Sequence, residues 1–279
     1  MKISASISVQ YDNIFSPFSG AQWEDGFCWC KEQGFDGVEL ILADPNLLDV
    51  DKLAAALVKY SLEVSTVSTG QATGMEGLGM CSAAEYIREA TFRRLKDDID
   101  FSTRLGRPNV TVGLIRGVGG VQSRELEYAL LLREMQRIAE YADKQGVVIN
   151  FEPINRYECK LCNSTADGRR LIEDMGTPKN VGILYDTFHS NIEDVDMQKA
   201  ISENLPYISH VHLADSNRRL PGEGHVDFPM VFRTLKNAGY QGYASLEVLN
   251  NPSAAHVREF AGKQILDIYR GIRYEKNQL

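Results

Sequence analysis

Glu152, Asp186, His212 and Glu247 stand at or near the ends of four strand-like apolar runs, VVINFE, VGILYD, ISHVHL and YASLE. Neighbouring members of the set lie roughly 30 residues apart, which is the length of one strand–helix–strand unit. Strands laid parallel by such crossovers bring all four side chains to one edge of a sheet. Three carboxylates gathered there without a cation would repel one another and raise each other's pKa. A divalent metal removes that penalty, and oxygen-rich ligation with one imidazole suits Mn²⁺, with Co²⁺ or Mg²⁺ as alternatives. One ion per chain is expected. Singly, each residue has a plainer reading. A Glu before Pro can cap a helix or pair with Arg, and a lone His in HVHLAD is more often a core or surface group. The coincidence at four matching strand ends favours the metal.

An octahedral ion with four protein ligands keeps two positions for adjacent substrate oxygens, such as a ketone and a neighbouring hydroxyl. Bound there, the ion acts as a Lewis acid and stabilises the enediolate left when the adjacent C–H loses its proton. Glu152 is on the fifth strand and Glu247 on the eighth, so they approach from opposite sides. One can remove a proton and the other return it on the opposite face. That is epimerisation.

Eight strand–helix pairs position these residues. The strands are read at 2–8, 37–40, 63–69, 109–115, 147–153, 181–187, 208–215 and 243–249, and the helices at 23–33, 51–60, 82–105, 123–145, 165–174, 196–204, 228–239 and 253–272. Ser82, with Glu85 three residues on, is the expected N-cap of the third helix. A chain of 279 residues fits a (β/α)₈ TIM barrel, which takes about 250. A doubly wound open sheet offers no reason for four ligands to converge. The expectation is one catalytic barrel domain over residues 1–279. Stretches 9–22, 70–81, 154–163 and 216–227 read as long irregular loops after strand C-termini, the face that carries barrel active sites.

A formal net charge of −8 lacks the basic face that nucleic acid requires. An abasic-site endonuclease-like barrel would bind several zinc ions, and among five histidines only His212 fits a ligand position. No stretch approaches the ~20 apolar residues of a membrane span. The N-terminal MKISASISVQ has neither the apolar core nor the cleavage site of a signal peptide. Five cysteines, an odd number, read as reduced thiols of a cytoplasmic protein. Cys28 and Cys30 read as helix packing. Cys159 and Cys162 form a C-x-x-C without a second pair, so loop thiols are a better reading than a zinc site.

FEPINRYE (151–158), YDTFHSNIED (185–194), HVHLADSNRRLPGEGHVDF (210–228) and SLEV (245–248) resemble the xylose-isomerase-like sugar isomerase/epimerase superfamily. The likeness is to the D-tagatose 3-epimerase and 5-keto-L-gluconate epimerase branch, and STGQA (68–72) and GLIRG (113–117) extend it into the first half. The resemblance implies Glu152, Asp186, His212 and Glu247 as metal ligands, with Glu152 and Glu247 also the acid/base pair. It places Glu158 near the substrate terminus or in support of Glu152. His189 is expected on substrate oxygens beside the metal, and Arg218 on a substrate hydroxyl or carbonyl. It also implies a homo-oligomer, dimer or tetramer. Cys159 and Cys162 depart from the family's more ordinary polar run.

Arg116, just past the fourth strand, is the candidate for binding a sugar-acid carboxylate; a surface salt bridge is the plainer reading. Gln71 either reaches the pocket or stays exposed, and His225 is expected to fix its loop. No glycine-rich phosphate cradle opens the eighth helix, which favours an unphosphorylated sugar. The expected activity is epimerisation of a ketose or keto sugar acid. An aldose–ketose or hydroxypyruvate-type isomerase, and then a metal-dependent dehydratase, are the alternatives on the same site.

Overall fold

The computed structural model describes residues 1–274. Eight strands pair in parallel in chain order and close, β1 to β8, into a barrel. They are β1 (Lys2–Ser8), β2 (Gly37–Ile41), β3 (Glu63–Ser68), β4 (Asn109–Val112), β5 (Ile149–Phe151), β6 (Val181–Asp186), β7 (Ile208–Leu213) and β8 (Tyr243–Leu246). Around them lie α1 (Trp23–Gln33), α2 (Val50–Tyr60), α3 (Gly70–Glu76), α4 (Glu85–Arg104), α5 (Arg124–Gln145), α6 (Thr165–Asp174), α7 (Thr187–Glu193), α8 (Met197–Asn204), α9 (Phe228–Asn237) and α10 (Ala254–Tyr274). This is the (β/α)₈ architecture that the alternating pattern predicts. No helix among the described residues is long and apolar enough to cross a membrane.

Helix limits follow local chemistry. Gly34 and Gly146 close α1 and α5 in the left-handed conformation that glycine adopts without a Cβ penalty. Ser123 caps α5 through its side chain, and Ser164 with Asp167 forms a capping box on α6. Strand side chains buried on both faces separate two layers of packing. Ile7, Leu40, Val67, Val110, Ile149 and Ile183 are among the fully buried apolar residues.

Several local expectations change, and the strands read at 147–153 and 243–249 shorten to Ile149–Phe151 and Tyr243–Leu246. The strand read at 109–115 ends at Val112, and Leu114–Arg116 turn as a 3₁₀ segment. Gly113 leaves the extended conformation there. A Cβ on it would come within 2.5 Å of a Glu152 carboxylate oxygen. Part of the loop read at 70–81 is helix α3, whose buried Ala72 packs inward although two glycines blur its periodicity. A short helix, α7, follows β6 at once because Asp186 caps it. Finally, α4 begins after Ala84, which makes no side-chain cap. Ser82 instead accepts from Ala84 N at 3.3 Å, and Arg88 binds the carbonyls of Ser82 and Ala83. Stabilising that turn through Arg88 leaves Ser82 outside the helix.

Candidate metal centre

The four strand-end residues meet. Asp186 and His212 are register partners on β6 and β7, and His212 pairs with Ser245 on β8. Glu152 and Glu247 lie one residue beyond β5 and β8, their N–H groups donating to Val112 and Leu213 carbonyls. All four are buried, and one ligand atom from each lies within 4.8 Å of the other three. His212 Nδ1 is 3.6 Å from Glu152 Oε1, 3.7 Å from Asp186 Oδ2 and 3.5 Å from Glu247 Oε2.

Asp186 divides its work. Its Oδ1 accepts from Phe188 N at 2.6 Å and caps α7, while Oδ2 faces the site. Asp186 Oδ2 and His212 Nδ1 are both buried without a hydrogen-bond partner among the described residues. Buried polar atoms are rarely left so. A divalent ion bound through bonds of about 2.0–2.2 Å would satisfy both, so the donor set fits one. Burial opposes charge on His212, yet the surrounding Glu39, Glu247, Asp186 and Glu152 raise its pKa well above the usual imidazole range. Burial would raise Asp186 as well, but His189, the approach of His212 and the charge of Arg218 hold it well below the ordinary carboxylate range.

Arg218 supplies the site's fixed positive charge. Its Nη2 donates to Glu247 at 3.2 Å and its Nη1 to Glu158 at 3.0 Å. The guanidinium lies 4.4 Å from the Phe15 ring centroid and 4.7 Å from that of Phe188, so stacking and ion pairing fix it together. Its backbone is left-handed, at φ 59°, and Arg218 N binds the Asp215 carbonyl at 2.7 Å. The buried Asp215 carboxylate in turn accepts from the N–H groups of Ser216, Gly222 and Val226 at 2.7, 2.8 and 3.0 Å. This acid organises the loop that presents Arg218. His225 serves the same loop through Ser216 Oγ, at 3.0 Å.

His189 Nε2 is 3.8 Å from both Glu152 Oε1 and Asp186 Oδ2. Its Nδ1 is 2.8 Å from Asn155 Nδ2. Asn155 is buried, and the same nitrogen reaches Glu158 Oε1 at 2.9 Å. An amide donor on Nδ1 leaves the ring proton on Nε2, which faces the site. Sequence reading missed Asn155, although it lies inside the N-R-Y-E run. Glu39 was missed too. Its signal is an acid in the middle of the otherwise apolar strand GVELI.

Arg116 does not join this group. It is fully buried, its guanidinium is 4.7 Å from the Phe151 ring, and Nη1 donates to the Glu152 carbonyl at 2.6 Å. The turn after Gly113 buries it against Phe151, outside the lining of the cavity over the centre. The loop thiols are buried as well, and all five cysteines are free. Burial pushes Cys162 up to about 12 and Cys81 up to about 11, with the charge of Arg116 opposing both.

A cavity of about 210 Å³ opens over the centre, lined by Glu152, Glu158, His189, Arg218 and Glu247 with Phe15, Leu114 and Ile154. Gln71 also lines it and donates to the Asp12 carbonyl at 3.2 Å. A larger hollow of about 850 Å³ lies at the other end of the barrel and is lined by none of Glu152, Asp186, His212 and Glu247.

A family model described as xylose isomerase-like TIM barrel matches residues 27–264. An L-ribulose 3-epimerase of Mesorhizobium japonicum is 32% identical over 222 residues, covering 78% of this chain and 72% of its own. A 3-dehydro-D-guloside 4-epimerase of Escherichia coli is 30% identical over 234 residues, covering 79% and 85%. A solved L-ribulose 3-epimerase structure superposes with a TM-score of 0.85 at 24% identity, over 99% of this chain and 97% of that one.

Proposed function

The chain belongs to the xylose isomerase-like TIM barrel family, and from that premise we propose that it is a divalent-metal-dependent epimerase of an unphosphorylated ketose or keto sugar acid. The observation that carries this is the convergence of Glu152 and Glu247, from strands three places apart, on the same buried centre as Asp186 and His212. Its relatives include 3-epimerases and a 4-epimerase of keto sugars.

Glu152, Asp186, His212 and Glu247 would hold the ion, proposed as Mn²⁺ with Co²⁺ or Mg²⁺ as alternatives. When bound, it would supply Lewis-acid stabilisation of negative charge that develops on a substrate oxygen. The chain's own groups move the protons. One of Glu152 and Glu247 removes hydrogen from the carbon beside the ketone, and the other returns a proton to the opposite face. His189 offers its Nε2 proton to a sugar oxygen. Arg218, paired with Glu247, holds that carboxylate in place, and with Glu158 bounds the far end of the sugar. Four site carboxylates, Glu152, Asp186, Glu247 and Glu158, would face a divalent ion and Arg218, which leaves no positive charge over for an anionic substrate.

Among the described residues that line the cavity, Arg218 is the sole Arg or Lys, and two glutamates already occupy it. This supports an unphosphorylated sugar. With Arg116 outside the lining, the neutral ketose is the better-supported of the two substrate forms. We also propose a homodimer or homotetramer, to be tested by light scattering, and a reducing, cytoplasmic setting in keeping with five free thiols.

The test is NMR in D₂O with Mn²⁺ and a panel of ketohexoses, ketopentoses and keto-uronates. Deuterium at the carbon beside the ketone, with the epimer forming, is the expected result. Deuterium at C1 with aldose formation would replace epimerisation by isomerisation, and an absence of exchange with metal bound would remove both.

A further inference from the structure

Glu39 lies on β2, on the far side of the barrel from β7, yet its carboxylate ends beneath the metal centre. His212 Nε2 is 3.1 Å from Glu39 Oε1 and 3.0 Å from Glu39 Oε2. His210 Nε2 is 3.3 Å from Oε2 of the same carboxylate. Strand alternation puts His210 and His212 on one face of β7, and their rings meet edge to face at 5.4 Å. All three residues are at most 1% exposed.

We propose that Glu39 is a positioning residue that fixes His212 in its metal-binding tautomer, an inference that rests on the metal-centre reading above. An ionised carboxylate can only accept hydrogen bonds. Both Glu39 oxygens face Nε2, so the ring proton of a neutral His212 must sit there. Nδ1 is then left with its lone pair, directed at Glu152, Asp186 and Glu247. A histidine ligand oriented by a carboxylate on its other nitrogen is better ordered and more basic. Burying a carboxylate costs several kcal/mol before pairing is counted, and this arrangement gives that cost a purpose. His210 supplies a second donor, so Glu39 is held from two sides and does not rotate away from His212.

The same three residues, Glu39, His210 and His212, are close enough to bind an ion of their own. They already satisfy one another by hydrogen bonds, whereas the unpartnered atoms, His212 Nδ1 and Asp186 Oδ2, both face the other side. The geometry therefore favours one ion with Glu39 behind it.

Mn²⁺ affinity of wild type, Glu39→Gln and Glu39→Asp, by calorimetry and by electron paramagnetic resonance, tests this. A glutamine amide can donate to Nε2 and shift the ring proton to Nδ1, so Glu39→Gln should bind Mn²⁺ about 10- to 100-fold more weakly. Glu39→Asp, which keeps the charge, should fall between. A residue that merely stabilised the barrel would lower the melting temperature of the metal-free protein without changing this affinity. Glu39→Gln binding within twofold of a tight wild type would overturn the inference alone. Should the variants fail to fold, ¹⁵N NMR of wild type loaded with Zn²⁺ decides: Nε2 protonation of His212 is expected, and Nδ1 protonation would overturn it. Two ions per chain would overturn it in favour of a second site. A wild type without measurable affinity for divalent ions would overturn the metal-centre reading and this inference with it.

Discussion

Arg116 donates a 2.6 Å hydrogen bond to the backbone carbonyl of Glu152, so this cation, outside the cavity lining, braces the residue proposed as an acid/base group. The bond is buried on both sides and backed by the Phe151 ring. Removing it should unseat Glu152. Arg116→Met is expected to lower stability by about 1.5–3 kcal/mol, the range for a hydrogen bond to a charged group. Turnover of neutral ketoses and keto acids should fall together. Denaturation curves and kcat/KM on both substrate types check this; loss confined to the keto acid would return Arg116 to substrate binding.

Glu247→Gln should fold normally and lose deuterium exchange by at least 10²-fold to 10⁴-fold, the range for positioned acid/base groups. It also gives up a charged ligand, so metal affinity should drop alongside. Exchange at the wild-type rate would refute its assignment as a base.

Chelation should abolish turnover reversibly, with Mn²⁺ or Co²⁺ restoring it. An ion held at a thousandfold excess over Kd adds about 4 kcal/mol to stability, so the melting temperature should rise on loading. An enzyme indifferent to exhaustive chelation would have a different mechanism.

Gly113→Ala places a methyl group 2.5 Å from a Glu152 carboxylate oxygen. The carboxylate must turn away, so Mn²⁺ affinity should weaken while the barrel's circular dichroism stays unchanged. Unaltered affinity would show that Glu152 has room to adjust.

Much of this site was legible because strand ends are where a parallel barrel collects its chemistry, and Glu152, Asp186, His212 and Glu247 stand at four of them. What escaped had no periodic signature. Seven residues are too few for α3 or α7 to repeat an apolar face, and α7 begins because of a cap that looked only like a ligand. Arg116 went astray because a single glycine ended β4 three residues early. Glu39 makes its contact across the barrel, 173 positions from His212, a pairing that local spacing does not encode.

The Asp215 loop gives a pH signature. Burial would raise this carboxyl, but the backbone N–H groups of Val226, Ser216, Gly224 and Gly222 lower it below its ordinary value. A depressed folded-state pKa stabilises the fold above the unfolded value of about 3.9 and loses that contribution as pH falls through the folded value. Asp215→Asn should therefore be less stable than wild type at pH 7, with the two converging below about pH 4. Urea titrations at several pH values would show it, and a constant gap down to pH 2 would reject it.

Asp186 reaches further than its own contacts. It is at once a proposed metal ligand, the cap that starts α7, and the anchor for the segment carrying His189 and Phe188. Exchanging this one acid for a longer side chain would remove the cap on the first turn of α7 and shift the imidazole of His189 with it. The proposed metal ligand and the proposed sugar contact are thus parts of one folding unit, residues 186–189, and neither can be altered without moving the other.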